Sequence, residues 1–305
     1  MRSIGSLQVS VVGIGCNNFG ARLDQSGTDA VVTAALESGI NFFDTADIYG
    51  ATKSEEFLGR ALGSRRDEVV VATKFGMPID DQRFGAAPAY VLKACDDSLA
   101  RLGTDRIDLY QLHAPDVSVP IADTLGALRE LRAAGKVREI GCSNFSAGQL
   151  DEAQTAAQGS DEFRSVQNQY SLLWRAPEAD GVLAACERHE TAFLPFYPLA
   201  NGLLTGKVRP GEPPPEGSRL AKMPPERSAH WLSDEFTARV ASLLEFADEH
   251  GASLLSLAFS WLLAHHQVAS VIAGATNPDQ VRANAAAPIE LDDAARDALD
   301  ALTAT

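Results

Sequence analysis

Short apolar runs alternate along the chain with longer stretches in which apolar positions recur every three or four residues. The first pattern is that of strands and the second that of amphipathic helices. Eight strand-like runs stand out, over residues 11–15, 41–44, 69–74, 107–113, 139–143, 165–168, 192–197 and 268–273. The helices between them carry local boundary signals. Thr28 opens one that Gly39 closes, while Thr52 with Glu55, and Ser146 with Gln149, have the spacing of a capping box. Ile121, Leu125, Leu128 and Leu131 form an apolar helical stripe that Gly135 ends. Strand–helix alternation over the whole length predicts an α/β fold with a parallel sheet, and eight strands is the number that closes a (β/α)8 TIM barrel. The expectation is one barrel domain over residues 1–305. No short-period repeat is visible beyond the strand–helix alternation itself, which argues against a solenoid.

One segment breaks the rhythm. Residues 206–233 hold Pro210, Pro213, Pro214, Pro215, Pro224 and Pro225 and follow the seventh strand. Loops this long in a compact domain are functional lids or passive insertions, and one leaving the carboxyl end of a barrel strand is expected to line a substrate site.

Composition narrows the function classes. A net charge of −15 disfavours nucleic acid or an anionic membrane as the main partner, because both require a cationic surface. It leaves open a small cleft where a few cations and N–H groups hold a phosphate. No stretch approaches the roughly 18 apolar residues of a membrane span, and the opening residues lack the apolar core of a signal peptide, so a cytoplasmic location is expected. Cys16, Cys95, Cys142 and Cys186 are far apart without metal-ligand spacing, which predicts buried reduced thiols and no metal site.

Four polar residues then draw attention: Asp44, Lys74 and His113 at the ends of successive strand-like runs, and Tyr49 on the loop after the first of these. Singly, each has a structural reading: Asp44 as a turn cap, Lys74 as a snorkelling side chain, His113 as a bonded core imidazole, Tyr49 as a loop aromatic. Together they fall on the carboxyl-end face where barrels place their chemistry. A phenol with a pKa of about 10 is a poor acid near neutrality. A lysine at about 4 Å attracts its phenolate by roughly 4 kcal/mol at an effective dielectric near 20. A carboxylate such as Asp44 would keep that lysine charged, and His113 could orient a carbonyl.

The segments GINFFDTADIYG, VVVATKFG, IDLYQLHAPD, REIGCSNFS, VQNQYSLL and GLLTGK, in this order and over essentially the whole chain, resemble the signatures of the aldo-keto reductase superfamily. The resemblance implies a (β/α)8 barrel that binds a nicotinamide dinucleotide and reduces aldehydes or ketones. It assigns Tyr49 as proton donor, Lys74 and Asp44 as its tuning pair, and His113 as the carbonyl-orienting group. It also implies that Ser143, Asn144 and Gln167 hold the nicotinamide carboxamide, an amide that needs both donors and acceptors. Phe196, Tyr197 and Leu199 fall at further cofactor positions, with Tyr197 where a smaller residue is commoner. Gly274, Thr276, Gln280 and Asn284 match the adenosine end, beside a helix start at Asn277 and Pro278. Gly274 and Gln280 stand where many members carry Lys and Arg. The family's habit favours NADPH, with NADH as the alternative, and Arg282 lies nearby.

Phe19, Phe75 and Trp174 are expected walls of the substrate pocket, and Trp231 a weaker one. The glycines from Gly13 to Gly20 do not have the spacing of a dinucleotide fingerprint and read as a barrel loop. Two alternatives accompany the reductase reading: a cofactor-binding regulatory subunit resembling potassium-channel beta subunits, and a sugar or polyol dehydrogenase working in the oxidative direction. The expected partner is a small carbonyl compound; the sequence specifies neither its identity nor an oligomeric state.

Overall fold

A computed structural model describes residues 1–304 apart from residues 158, 160 and 210. The chain opens with a hairpin of β1 (Arg2–Ile4) and β2 (Leu7–Val9), too short for a periodicity reading to detect. Eight parallel strands follow: β3 (Val12–Gly15), β4 (Phe42–Asp44), β5 (Val70–Phe75), β6 (Ile107–Leu112), β7 (Val137–Ser143), β8 (Ser165–Gln169), β9 (Ala192–Phe196) and β10 (Val271–Gly274). They pair in chain order, and β10 pairs with β3. Closure comes just before β10, where the Phe193 N–H donates to Gln267 O and the Ala269 N–H to Phe193 O. All eight expected strands are present, with ends shifted by a few residues at most, and the α/β barrel class holds.

The helices lie outside the strands. In order they are α1 (Gln25–Glu37), α2 (Lys53–Leu62), α3 (Pro88–Leu102), α4 (Ile121–Ala133), α5 (Ala147–Ala157), α6 (Ala176–Ala179), α7 (Val182–Arg188), α8 (Pro225–Trp231), α9 (Asp234–Glu249), α10 (Leu254–Ala264), α11 (Pro278–Ala286) and α12 (Asp293–Thr303). The Ser146–Gln149 capping box forms in both directions, at 3.0 and 3.3 Å. Two other boundary expectations fail. Asp24, not Thr28, caps α1 by accepting from the Gly27 N–H, and Thr28 sits inside the helix with its hydroxyl on Asp24 O. Thr52 precedes α2 in the left-handed region without a side-chain cap, because Glu55 is buried and bonds Thr73 and Arg101 instead. All four cysteines are buried and unpaired.

Strand alternation divides the apolar residues into two cores. Phe42, Val70, Ala72, Leu109, Leu194 and Ile272 point into the barrel, where Ile4, Leu7 and Val9 of the hairpin close its lower end. The Ser6 N–H anchors the hairpin turn on the Glu139 carboxylate at 2.7 Å. The larger core lies between strands and helices. One step further along the inward-facing rows the side chains become polar, with Asp44 after Phe42, Lys74 after Ala72 and Gln111 after Leu109. The same two-residue period that fills the barrel with hydrocarbon thus ends it in a polar layer.

Candidate active site

The polar layer brings the four expected residues together at the carboxyl ends of the strands. The Lys74 ammonium is fully buried and donates to Asp44 Oδ2 at 2.6 Å and to the Thr45 carbonyl at 2.9 Å. It lies 5.1 Å from the centre of the Tyr49 ring. The His113 ring meets the Tyr49 ring edge-on at 5.7 Å. Tyr49 is aimed by its loop: the Asp47 N–H bonds Lys74 O, and the Tyr49 N–H bonds Ala46 O. Gly50 follows in the left-handed region, packed against the Phe19 carbonyl so tightly that no Cβ fits.

The electrostatics follow from burial. Burial alone would discharge Lys74, but the charges of Asp44 and then Tyr49 outweigh it and hold its pKa above the usual lysine value. Burial raises the Tyr49 phenol above its ordinary 10, and Lys74 is the largest influence in the opposite direction. The net direction is therefore upward, against the lowering that a lysine alone would produce, and Tyr49 keeps its proton throughout the physiological range. Burial, helped by the Lys74 charge, lowers His113 to about 3, so its imidazole is neutral and offers one N–H.

A second set of bonds ties this cluster to the residues expected to read an amide. Gln167 Nε2 donates to Asp44 Oδ1 at 2.9 Å, and the Ser143 hydroxyl and the Asn144 N–H both donate to Gln167 O. Asn144, in the left-handed region, donates through Nδ2 to His113 O at 2.9 Å and to the Ser143 hydroxyl. Gln111, absent from the sequence expectations, bonds Asp44 Oδ1 at 3.3 Å; the alternation Leu109, Gln111, His113 was the signal that could have found it. Asp47 was also missed. It is buried, neither carboxyl oxygen accepts a hydrogen bond of ordinary geometry, and burial with the nearby Glu55 charge pushes it up to about 7.

A cavity of about 630 Å³ opens above, between the β3–α1 loop, the turn after β8 and the segment between β9 and α9. Tyr197 and Trp174 line it, as do Arg219, Met223 and Trp231 of the Pro-rich segment. Tyr49, Lys74 and His113 do not. Tyr197 and Ala200 both adopt the left-handed backbone, an unusual cost for such residues in a turn that presents the ring to the cavity. Arg219 stacks on that ring at 4.5 Å and donates to its hydroxyl at 3.1 Å. Phe196 packs edge-on to Tyr197, and Leu199 packs partly buried against the core.

Two expected pocket walls lie elsewhere. Phe75 is one residue past Lys74, so alternation turns it outward, where it is fully buried and stacked on Tyr110 at 4.6 Å. Phe19 is likewise buried in the outer core rather than open to the cavity. Pro210 lies outside the described residues, and the Pro-rich segment contains a helix, α8, that its prolines concealed. At the far end, Thr276 bonds Gln280 through its N–H at 2.8 Å, Asn277 caps α11, and Asn284 is buried. Gly274 faces Asn17 and Asn18, whereas Arg282 is paired with Asp279 on the surface.

Comparison with known proteins agrees with this architecture. Residues 11–304 match the aldo/keto reductase family. The chain is 32% identical over 286 residues to a probable voltage-gated potassium channel subunit beta of Arabidopsis thaliana, covering 91% of this chain and 87% of that protein. It is 34% identical over 275 residues to the aldo-keto reductase yakc [NADP(+)] of Schizosaccharomyces pombe, covering 86% and 79%. The solved holo form of aldo-keto reductase AKR11C1 from Bacillus halodurans superposes with a TM-score of 0.80 at 32% identity, over 99% of this chain and 95% of that one. By fold, extent of match and identity, the chain belongs to the aldo/keto reductase family.

Proposed function

We propose that the protein reduces an aldehyde or ketone to an alcohol with NAD(P)H, with Tyr49 as the general acid. The observation that carries this reading is the buried Asp44–Lys74 pair beneath Tyr49, which places a fixed positive charge where a phenol must give up its proton. When bound, the dihydronicotinamide supplies the hydride. Tyr49 retains its proton until charge develops on the substrate oxygen and then delivers it, while Lys74 stabilises the phenolate left behind. Asp44 keeps Lys74 charged, and the neutral His113 donates its N–H to orient the carbonyl.

The residues suit the cofactor. Ser143, Asn144 and Gln167 offer donors and acceptors for an amide, and Tyr197 and Phe196 offer ring faces. Leu199, Gly274, Thr276, Gln280 and Asn284 are assigned to the rest of the dinucleotide. Arg219 brings a cation to the cavity in a chain of net charge −15. The name of the fission-yeast relative, carrying NADP(+), supports NADPH. The Pro-rich segment acts as a lid, and Trp174 with Trp231 of that segment forms the wall of the substrate site. Similarity to a channel beta subunit does not shift the reading, because identity is as high to a relative named as a reductase.

Initial rates of NADPH and NADH oxidation with a panel of aldehydes, ketones and sugars test the proposal. Carbonyl-dependent oxidation with NADPH preferred is expected. Tight cofactor binding without turnover of any carbonyl would replace it with the regulatory reading, and activity only on alcohols with NADP⁺ would replace it with the dehydrogenase reading.

A further inference from the structure

The distribution of unpaired cations sets the cavity apart. Among the described residues, two lysines or arginines lacking a carboxylate within 4.0 Å sit elsewhere: Arg2, whose guanidinium donates to the Leu263, His265 and Val268 carbonyls, and Lys53 at the start of α2. The remainder, Arg22, Lys207, Arg209, Arg219, Lys222 and Arg227, lie on the β3–α1 loop or the segment between β9 and α9. Four of them, Arg22, Arg219, Lys222 and Arg227, line the cavity together with His230, and no acidic residue does.

Two of the four have structural work. Arg219 is stacked on Tyr197, and Arg22 donates to Gly217 O at 2.8 Å, joining the β3–α1 loop to the segment above. The side chains of Lys222 and Arg227 have no such partner among the described residues. They flank Met223, close to Trp231, whose ring centre is 6.3 Å from that of Trp174. The cavity thus combines an apolar wall with two uncommitted positive charges, while Glu212, Glu216 and Glu226, interleaved with them along the same segment, do not line it.

We propose that Lys222 and Arg227 form an anion subsite, so that the protein selects carbonyl substrates that also carry a carboxylate or phosphate, with Trp174 and Trp231 packing the body of the molecule. This rests on the reductase reading and deepens it to a substrate class. The competing source of negative charge is the cofactor itself, whose phosphates the same cations could meet. The residues assigned to its adenosine end lie on a different element, at the start of α11.

The test compares 4-carboxybenzaldehyde with its uncharged isostere 4-formylbenzamide, in the wild type and in Lys222→Gln/Arg227→Gln, with cofactor affinity followed separately by NADPH fluorescence. Two solvent-accessible cations each contribute up to a few-fold, so a preference in kcat/KM of roughly 5- to 30-fold for the carboxylate is expected. It should shrink between about 10 mM and 300 mM salt as screening shortens the range of the interaction. In the double variant the preference should collapse towards unity through loss on the carboxylate substrate. Equal turnover of the two aldehydes by the wild type would overturn the subsite while leaving the reductase reading intact. A variant that weakens NADPH binding but keeps the preference would assign the cations to the cofactor and overturn it as well. Turnover of neither aldehyde would overturn the subsite and leave the reductase reading to the wider panel of carbonyls.

Discussion

Asp47→Asn should stabilise the protein in a strongly pH-dependent manner. The Asp47 carboxyl is 1% exposed and lacks ordinary hydrogen-bond partners. The charges facing it are Glu55 on α2, Arg101 on α3 and, more weakly, Lys74 on β5, with the Tyr90 and Tyr110 phenols on α3 and β6 near enough to feel its charge. Arg101 is committed to Glu55 at 2.6 Å, so little cationic compensation remains. Burial and Glu55 together raise Asp47 from 3.8 to about 7. Three units at about 1.36 kcal/mol each amount to roughly 4 kcal/mol. The sign follows from linkage: the folded state binds the proton more tightly, so stability falls as pH rises from about 4 to about 7 and stays reduced above that. Asparagine does not titrate, and any cost of burying its amide is the same at every pH. The quantity to measure is therefore the difference in thermal midpoint between variant and wild type from pH 4 to pH 8.5. That difference should move in the variant's favour by several degrees across the window and then level off. A difference independent of pH would refute the claim that Asp47 is buried without compensation.

Asp44→Asn should destabilise the fold by about 3–5 kcal/mol, measured by urea denaturation, because it strands the Lys74 ammonium in the barrel. Reductive kcat should show no step attributable to His113 or Tyr49 between pH 5 and 9, since the first is neutral above about 3 and burial holds the second above the ordinary phenol value. A step near 7 that disappears in Asp47→Asn would assign it to Asp47, whereas one that persists would contradict these assignments. Gly50→Ala should cost about 1–3 kcal/mol in stability and lower turnover more than cofactor affinity, because the added Cβ forces apart the loop that aims Tyr49 and its contact at Phe19.

The barrel was largely legible in the chain because its strands are buried and its helices have one apolar face, so hydrophobic period alone separates them. The terminal hairpin was not, since three-residue strands carry no period. Thr52 and Glu55 illustrate a second limit: the capping spacing was present, but the buried bonds of Glu55 to Thr73 and Arg101 prevailed over the local motif. Asp44, Lys74 and His113 could be placed on one face because each ends an inward-facing row. The same rule, applied one residue further, would have turned Phe75 away from the pocket. Asp47 and the stacking of Arg219 on Tyr197 depend on what neighbouring elements withhold or supply, which a single chain does not display.

The most direct test of the account is single-turnover reduction of an aldehyde by Tyr49→Phe preloaded with NADPH, read beside the wild type with cofactor affinity measured on the same samples. A loss of about 10²- to 10⁴-fold in the chemical step, with affinity unchanged, is the predicted result. A variant that binds NADPH normally and still reduces the aldehyde within tenfold of the wild-type rate would contradict Tyr49 as the proton donor and remove the purpose of the Asp44–Lys74 pair beneath it.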